Sequence, residues 1–325
     1  MIKIDLITGF LGAGKTTFMK KYARYLIETG QKICILENDF GAVNVDMLLL
    51  QDMLSEQCDL EMVAGGCDAD CHKRRFKTKL ISMGMRGFDR VLVEPSGIFD
   101  MDEFFDTLRE EPLEQWYEIG NVIAIVDARL EENLSTQAQF LLASETAGAG
   151  QVILSRVQEA ESTDIEHTLT YLNQAMEQVQ CKRRFQTENG DGVRPKDVVL
   201  AKDWDSLTKE DYEKILHSGY ASESYQKMWL DKKDAFTSLY FMHVKMSEQD
   251  MREAVEKLFA TPACGNIFRV KGFLLVAEDS YIEFNATREK FSSKPVEKGQ
   301  EVFIVIGENL TEAAIKEVFH IQEQA

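Results

Sequence analysis

The chain has 325 residues, 44% hydrophobic and 28% charged, which is ordinary globular usage and a length suited to about two domains. Lysine and arginine number 37 against 55 aspartates and glutamates, a net charge of −18, and acidity on that scale disfavours nucleic acid and anionic membrane surfaces as partners. With 20 glycines and 5 prolines, a collagen-like or linker-dominated chain is also excluded.

In chain order, Ile2–Thr8 reads as a strand and Lys15–Thr29 as a helix stopped by Gly30. Lys32–Leu36 is a second strand, Lys73–Met85 a helix, and Arg90–Glu94, Asn121–Val126 and Gln151–Leu154 are further strands. Short, nearly continuous apolar strands separated by helices predict an α/β domain with a parallel sheet covered on both faces. From Cys181 to Lys196 the chain turns polar, and a helix is expected over Asp205–Ser218, opened by Ser206. Residues 219–235 are polar with scattered aromatics and read as a linker. Beyond it, strands Thr237–Met246, Ile267–Ala277, Tyr281–Asn285 and Glu301–Ile306, with helices Glu248–Ala260 and Thr311–Ile321, predict a smaller α+β domain. The expected division is thus 1–218, linker 219–235, and 236–325. The run after Met1 is too short for a signal sequence and no apolar stretch approaches the ~20 residues of a membrane span, so a cytoplasmic location is expected. The six cysteines, Cys34, Cys58, Cys67, Cys71, Cys181 and Cys264, should then stay reduced, and only Cys67 and Cys71 are close together.

Between the first strand and the first helix lies Gly9-Phe10-Leu11-Gly12-Ala13-Gly14-Lys15-Thr16-Thr17, which fits the phosphate-loop pattern G-x4-G-K-[ST]. Glycines allow backbone N–H groups to close around phosphates, and the helix N-terminus adds a positive dipole. Lys15 is positioned to reach the β- and γ-phosphates, and the Thr16 hydroxyl to hold Mg²⁺. Such a loop fixes the ligand class and leaves the job open among kinases, switches and metal chaperones.

Leu36-Glu37-Asn38-Asp39-Phe40-Gly41, with Asp39 in place of Glu, is similar to the Asn-Glu-Phe-Gly switch segment of CobW-like GTPases, and further segments resemble the same family in its order and over nearly the whole chain. Val91-Leu92-Val93-Glu94-Pro95-Ser96-Gly97 resembles the second switch, and Ile125-Val126-Asp127-Ala128 the next family strand. Near the end, Phe268–Phe273 and Phe303–Leu310 resemble the CobW C-terminal domain. The resemblance implies a P-loop GTPase domain related to UreG and HypB, followed by that C-terminal domain. It further implies that Lys15, Thr16 and Thr17 serve the phosphates and Mg²⁺. Glu94 would hold Mg²⁺, directly or through water, or orient the attacking water. Gly97 would offer its N–H to the γ-phosphate, and Asp39 would lie near the metal and phosphates. A client metalloprotein or corrinoid protein is implied as partner, and a homodimer paired across the nucleotide or the cysteine motif.

Two segments depart from the family pattern. The Cys-x-Cys-Cys motif is replaced by Gly66-Cys67-Asp68-Ala69-Asp70-Cys71-His72. Two thiolates beside carboxylates and an imidazole suit Zn²⁺, Co²⁺ or Ni²⁺, and the three-residue spacing suits an iron–sulfur cluster shared between two chains. On a helix, Cys67 and Cys71 share a face; plain packing cysteines are the competing reading. The guanine-reading Asn-Lys-x-Asp becomes Ser155-Arg156-Val157-Gln158. Gln158 offers one acceptor and a donor where the family's Asp offers two acceptors, while Arg156 can stack on a purine. GTP is expected from the resemblance, with ATP as the alternative. Three functions follow: a nucleotide-driven metallochaperone or cofactor-insertion switch, a reactivator of a metallocofactor protein with no metal transfer of its own, and a small-molecule kinase, against which the CobW-like tail speaks.

Overall fold

The computed structural model describes residues 1–325 apart from 11, 40–44, 65–68, 96–100, 131–133, 188–193, 223–236, 278–279, 289, 297–298 and 322–325; the side chains of 39, 45–46, 48, 64, 69–70, 102–103 and 237–238 are likewise outside the description. The chain divides into two compact units, Met1–Met228 and Trp229–Ala325. The segment read as a linker falls largely outside the described residues.

The first unit is built on six strands: β1 (Ile2–Gly9), β2 (Ile33–Asp39), β3 (Cys58–Ala64), β4 (Arg90–Pro95), β5 (Tyr117–Asp127) and β6 (Gln151–Ser155). They lie in the order β3-β2-β4-β1-β5-β6, every neighbouring pair parallel. The helices are α1 (Lys15–Glu28), α2 (Val45–Leu50), α3 (Ala69–Gly84), α4 (Met101–Leu108), α5 (Leu113–Trp116), α6 (Thr136–Ala147), α7 (Ser162–Gln178) and α8 (Lys209–Leu216). This is the parallel α/β sheet that the apolar runs predict. The inner strands are buried on both faces, β4 at every residue, as a sheet covered by helices on both sides requires. Helix α1 turns Phe18, Met19, Tyr22, Ala23, Tyr25 and Leu26 inward. They pack on Ile7, Ile33, Ile35 and Leu92 in one core cluster. Each fully buried Phe or Leu in such a cluster contributes about 1.5–3 kcal/mol.

Several boundaries differ from the sequence reading for local reasons. Edge strand β3 was not expected, because Asp59 and Glu61 interrupt its apolar residues; they are matched by Arg86 and Lys79. The helix expected over Asp205–Ser218 is a 3-10 turn, Trp204–Ser206, followed by α8. Its cap is Thr208 and not Ser206: Thr208 Oγ1 accepts from the Asp211 N–H (3.3 Å), and the Asp211 carboxylate accepts from the Thr208 N–H (3.0 Å).

The second unit is an antiparallel sheet in the order β10-β9-β8-β11-β7, formed by β7 (Thr237–Met242), β8 (Asn266–Ala277), β9 (Ser280–Ala286), β10 (Phe291–Val296) and β11 (Val302–Glu308). Helices α9 (Glu248–Phe259) and α10 (Glu312–Val318) bury Met251, Val255, Leu258, Ile315 and Val318 against Phe241, Val270, Phe284 and Phe303. It is the α+β arrangement expected. Strand β7 stops at Met242 because His243 takes a left-handed φ of 57°. Edge strand β10, with Ser292, Ser293, Lys294 and Pro295, lacks the apolar run that a central strand shows. No described helix is long and apolar enough to cross a membrane.

Candidate functional site

Every strand of the parallel sheet ends at the same edge, where open α/β sheets bind their ligands. The loop leaving β1 bends through Gly9, Gly12 and Gly14, with φ of 140°, 80° and 99°. At Gly9 a side chain has no space: a Cβ would lie 2.2 Å from the Ile125 carbonyl oxygen. Gly14 caps α1 with no side-chain hydrogen bond, leaving the first-turn N–H groups for an anion. Ala13 is buried and its N–H bonds the Phe10 carbonyl at 3.1 Å. Lys15 is 7% exposed and donates from Nζ to the Gly9 carbonyl at 2.9 Å, so its ammonium folds back over the loop. Thr16 Oγ1 donates to Glu94 Oε1 at 3.2 Å, joining the start of α1 to the end of β4. Thr17 is exposed.

Two buried carboxylates at this edge escaped the sequence reading. Glu37, 3% exposed, pairs in register with Glu94 across β2 and β4. Glu145 on α6 is 1% exposed, hydrogen-bonds Thr8, and lies within the field of Lys15. Burial pushes its carboxyl up to about 8, against the smaller lowering effects of Lys15 and Thr8. Its Oε2 has no hydrogen-bond partner. A buried acid has the same letter as a surface acid, and the available clue in the sequence was the apolar run Phe140-Leu141-Leu142-Ala143 just before it.

At the end of β6, Ser155 is buried and its Oγ has no partner. Arg156 takes a left-handed φ of 54°. Its guanidinium pairs with Asp127 and donates to the Gly12 carbonyl at 2.9 Å. The residue expected to face a purine is therefore also tied to the phosphate loop. Gln158 is exposed in the short turn Val157–Glu159. Trp204 supports the loop from below: a Cβ on Gly14 would lie 3.2 Å from its ring, and its indole N–H donates to the Leu154 carbonyl at 2.9 Å.

The cysteine segment enters α3. Cys71 is half-buried in the first turn of that helix, while Cys67 lies outside the described residues. His72 is 2% exposed, and its Nε2 makes a 2.7 Å hydrogen bond with Asn38 Oδ1 at the end of β2. Asp39 closes β2 with its side chain outside the description, and Gly97 lies outside it as well. Among the described residues no cluster of three or more His, Cys, Asp or Glu is gathered for a metal. Burial raises the thiols of Cys34 and Cys58, Cys58 to about 12.

Comparison with known proteins agrees with the phosphate-loop geometry. The model of the CobW/HypB/UreG nucleotide-binding domain matches residues 3–185. Zinc chaperone YjiA of Escherichia coli (strain K12) is 31% identical over 182 residues, 53% of this chain and 55% of that protein. Zinc chaperone YeiR of the same organism is 28% identical over 172 residues, 52% of this chain and 50% of that protein. Zinc-regulated GTPase metalloprotein activator 1 of Schizosaccharomyces pombe (strain 972 / ATCC 24843) is 22% identical over 187 residues, 55% of this chain and 44% of that protein. The chain spans about half the length of the curated relatives it matches. With its phosphate loop, its six-stranded parallel sheet and a family match over more than half of its length, the chain belongs to the CobW/HypB/UreG family.

Proposed function

We propose that the chain is a Mg²⁺-dependent GTP hydrolase that carries a transition-metal ion, zinc first among them, to a client metalloprotein. The observation that carries this reading is the contact of Thr16 with Glu94 beside Lys15, in a family whose matched relatives are named zinc chaperones. On binding nucleotide, Lys15 would exchange the Gly9 carbonyl for phosphate oxygens, and the loop amides and α1 dipole would hold the rest of the phosphate charge. Thr16 and Glu94 supply hard oxygens 3.2 Å apart, a donor set that fits Mg²⁺. Bound there, Mg²⁺ would supply charge neutralisation between the β- and γ-phosphates. Glu94, buried at the end of β4, would orient the attacking water, with Asp39 assisting and Gly97 reporting the γ-phosphate.

The cargo would be held by Cys67 and Cys71, whose segment lies between the two switches in sequence. Zn²⁺ suits two thiolates best; Co²⁺, Ni²⁺ and a cluster shared between two copies are the other cargoes that such a donor set accepts. GTP is favoured on family grounds. Ser155, Arg156 and Gln158 lack the paired guanine acceptors of the family Asp, which makes ATP the competitor to measure against. Initial rates of GTP and ATP hydrolysis by the full chain test the reading. GTP turnover that needs Mg²⁺ and falls at least ~100-fold in Glu94→Gln is expected. Turnover of neither nucleotide, or a rate indifferent to Glu94→Gln, would overturn it.

A further inference from the structure

We infer that His72 is a positioning residue that links the nucleotide edge of the sheet to the cysteine helix through Asn38, with its Nε2 committed to that bond and not to the cargo metal. The inference rests on the metal-carrier reading above and names the device that would connect its two halves.

Asn38 is the next-to-last residue of β2, between Glu37 and Asp39. Side chains alternate along a strand. Ile33 and Ile35 belong to the α1-side core cluster, so Glu37 points to the α1 face with Glu94, and Asn38 to the opposite face. There it meets His72, which follows Cys71 in the first turn of α3. The 2.7 Å bond thus joins the residue that follows Glu37 in β2 to the residue beside a candidate thiolate.

Chemistry then decides the role. Asn38 is 0% exposed and His72 2%. In so dry a setting an unmade hydrogen bond costs more than it would in water. Asn38 Nδ2 has no hydrogen-bond partner, so among the described contacts the amide is held by His72 alone. With Oδ1 accepting, Nε2 carries the proton and cannot bind a metal. If the amide is turned over, Nδ2 donates and Nε2 is occupied as an acceptor. In either orientation that nitrogen is committed to Asn38. A shift of the β2 end on nucleotide exchange then moves the first turn of α3 or breaks this bond, and a metal held at Cys71 reads the difference.

The test measures Zn²⁺ affinity of the chelator-stripped full chain, anaerobically, with GDP and with a non-hydrolysable GTP analogue. It compares wild type with His72→Phe, His72→Gln and Asn38→Ala. Wild type should show a ratio of the two affinities of about 5 or more. His72→Phe and Asn38→Ala should bring that ratio to within twofold of one. His72→Gln, whose amide can still donate at the ε position, should keep it, although an amide is a poor zinc ligand. The affinity for GTP analogue with and without Zn²⁺ must change by the same ratio, by reciprocity. A tenfold or larger loss of Zn²⁺ affinity in both nucleotide states, shared by His72→Phe and His72→Gln, would make His72 a ligand and overturn the inference. A wild-type ratio retained in both His72→Phe and Asn38→Ala would overturn it too. A ratio of one in wild type would instead sink the metal-carrier reading on which it rests.

Discussion

The two ends of the parallel sheet both bury charge, and they treat it differently. At the N-terminal end, Asp5 of β1 accepts hydrogen bonds from Tyr22 Oη (2.9 Å), Arg90 (2.6 Å), the Asn121 N–H (2.8 Å) and Asn121 Nδ2 (3.3 Å). Asn121 Oδ1 in turn accepts from the Gly219 N–H at 2.8 Å. The network closes on itself, and nothing else is required of it. At the C-terminal end, Asn38 Nδ2, Glu145 Oε2 and Ser155 Oγ are buried without hydrogen-bond partners. Lys15 spends its charge on a backbone carbonyl. Buried polar groups in native proteins are satisfied with few exceptions, and the exceptions gather where function needs them. One end of the sheet is built for stability and the other for a ligand.

The sharpest way to break that contrast is Asp5→Ala. It leaves the buried Arg90, Tyr22 and Asn121 without their shared acceptor and should cost about 3–5 kcal/mol in denaturant unfolding. A loss below ~1 kcal/mol would mean that the N-terminal network is as loosely held as the other end.

Glu145 gives the next largest effect, and its sign is fixed by linkage. Its folded-state carboxyl is raised from the ordinary 4.5 to about 8, mainly by burial. The folded chain therefore holds this proton more tightly than the unfolded chain. The contribution is complete below pH ~4.5 and is lost as pH rises through about 8, at up to ~1.4 kcal/mol per pH unit. Glu145→Gln should flatten this part of the stability profile between pH 5 and 8 and leave the variant more stable than wild type at pH 8. An unchanged profile would show that Glu145 does not titrate there.

Lys15→Ala tests the ligand end directly. It should lower GTP-analogue affinity by about 10- to 100-fold, the worth of a charge-assisted hydrogen bond, while the unfolding midpoint stays within a degree or two. A large fall in midpoint would give Lys15 a structural role instead. The smallest effect belongs to neither end: Thr208→Ala removes the cap of α8 and should cost about 1 kcal/mol.

Much of this arrangement is legible in the sequence, and the gaps have physical causes. The phosphate loop reads clearly because its backbone demands glycine: Gly9 has no room for a Cβ and Gly14 has a φ of 99°. Strands β1, β2, β4, β5 and β6 read as apolar runs because both of their faces are covered. Edge strands β3 and β10 were missed because Asp59 and Glu61 in one, and Ser292 and Lys294 in the other, break the apolar run that marks a strand. Helix α6 was missed for the opposite reason. It is buried from Phe140 to Ala147 and has no polar stripe to mark its period. Glu37 and Glu145 were missed because burial is a property of the fold. His72 was singled out for its neighbours in sequence, whereas its partner in space, Asn38, comes from a different element.

If nucleotide state governs a thiol-held metal, as proposed, Zn²⁺ affinity must depend on the nucleotide bound. The most direct measurement is Zn²⁺ titration of the chelator-stripped full chain under anaerobic conditions, with GDP and with a GTP analogue, beside Cys67→Ala. The affinities should differ about fivefold or more between the two states, and that binding should be lost in Cys67→Ala. Equal affinity in both states, or binding untouched by Cys67→Ala, would contradict the proposal.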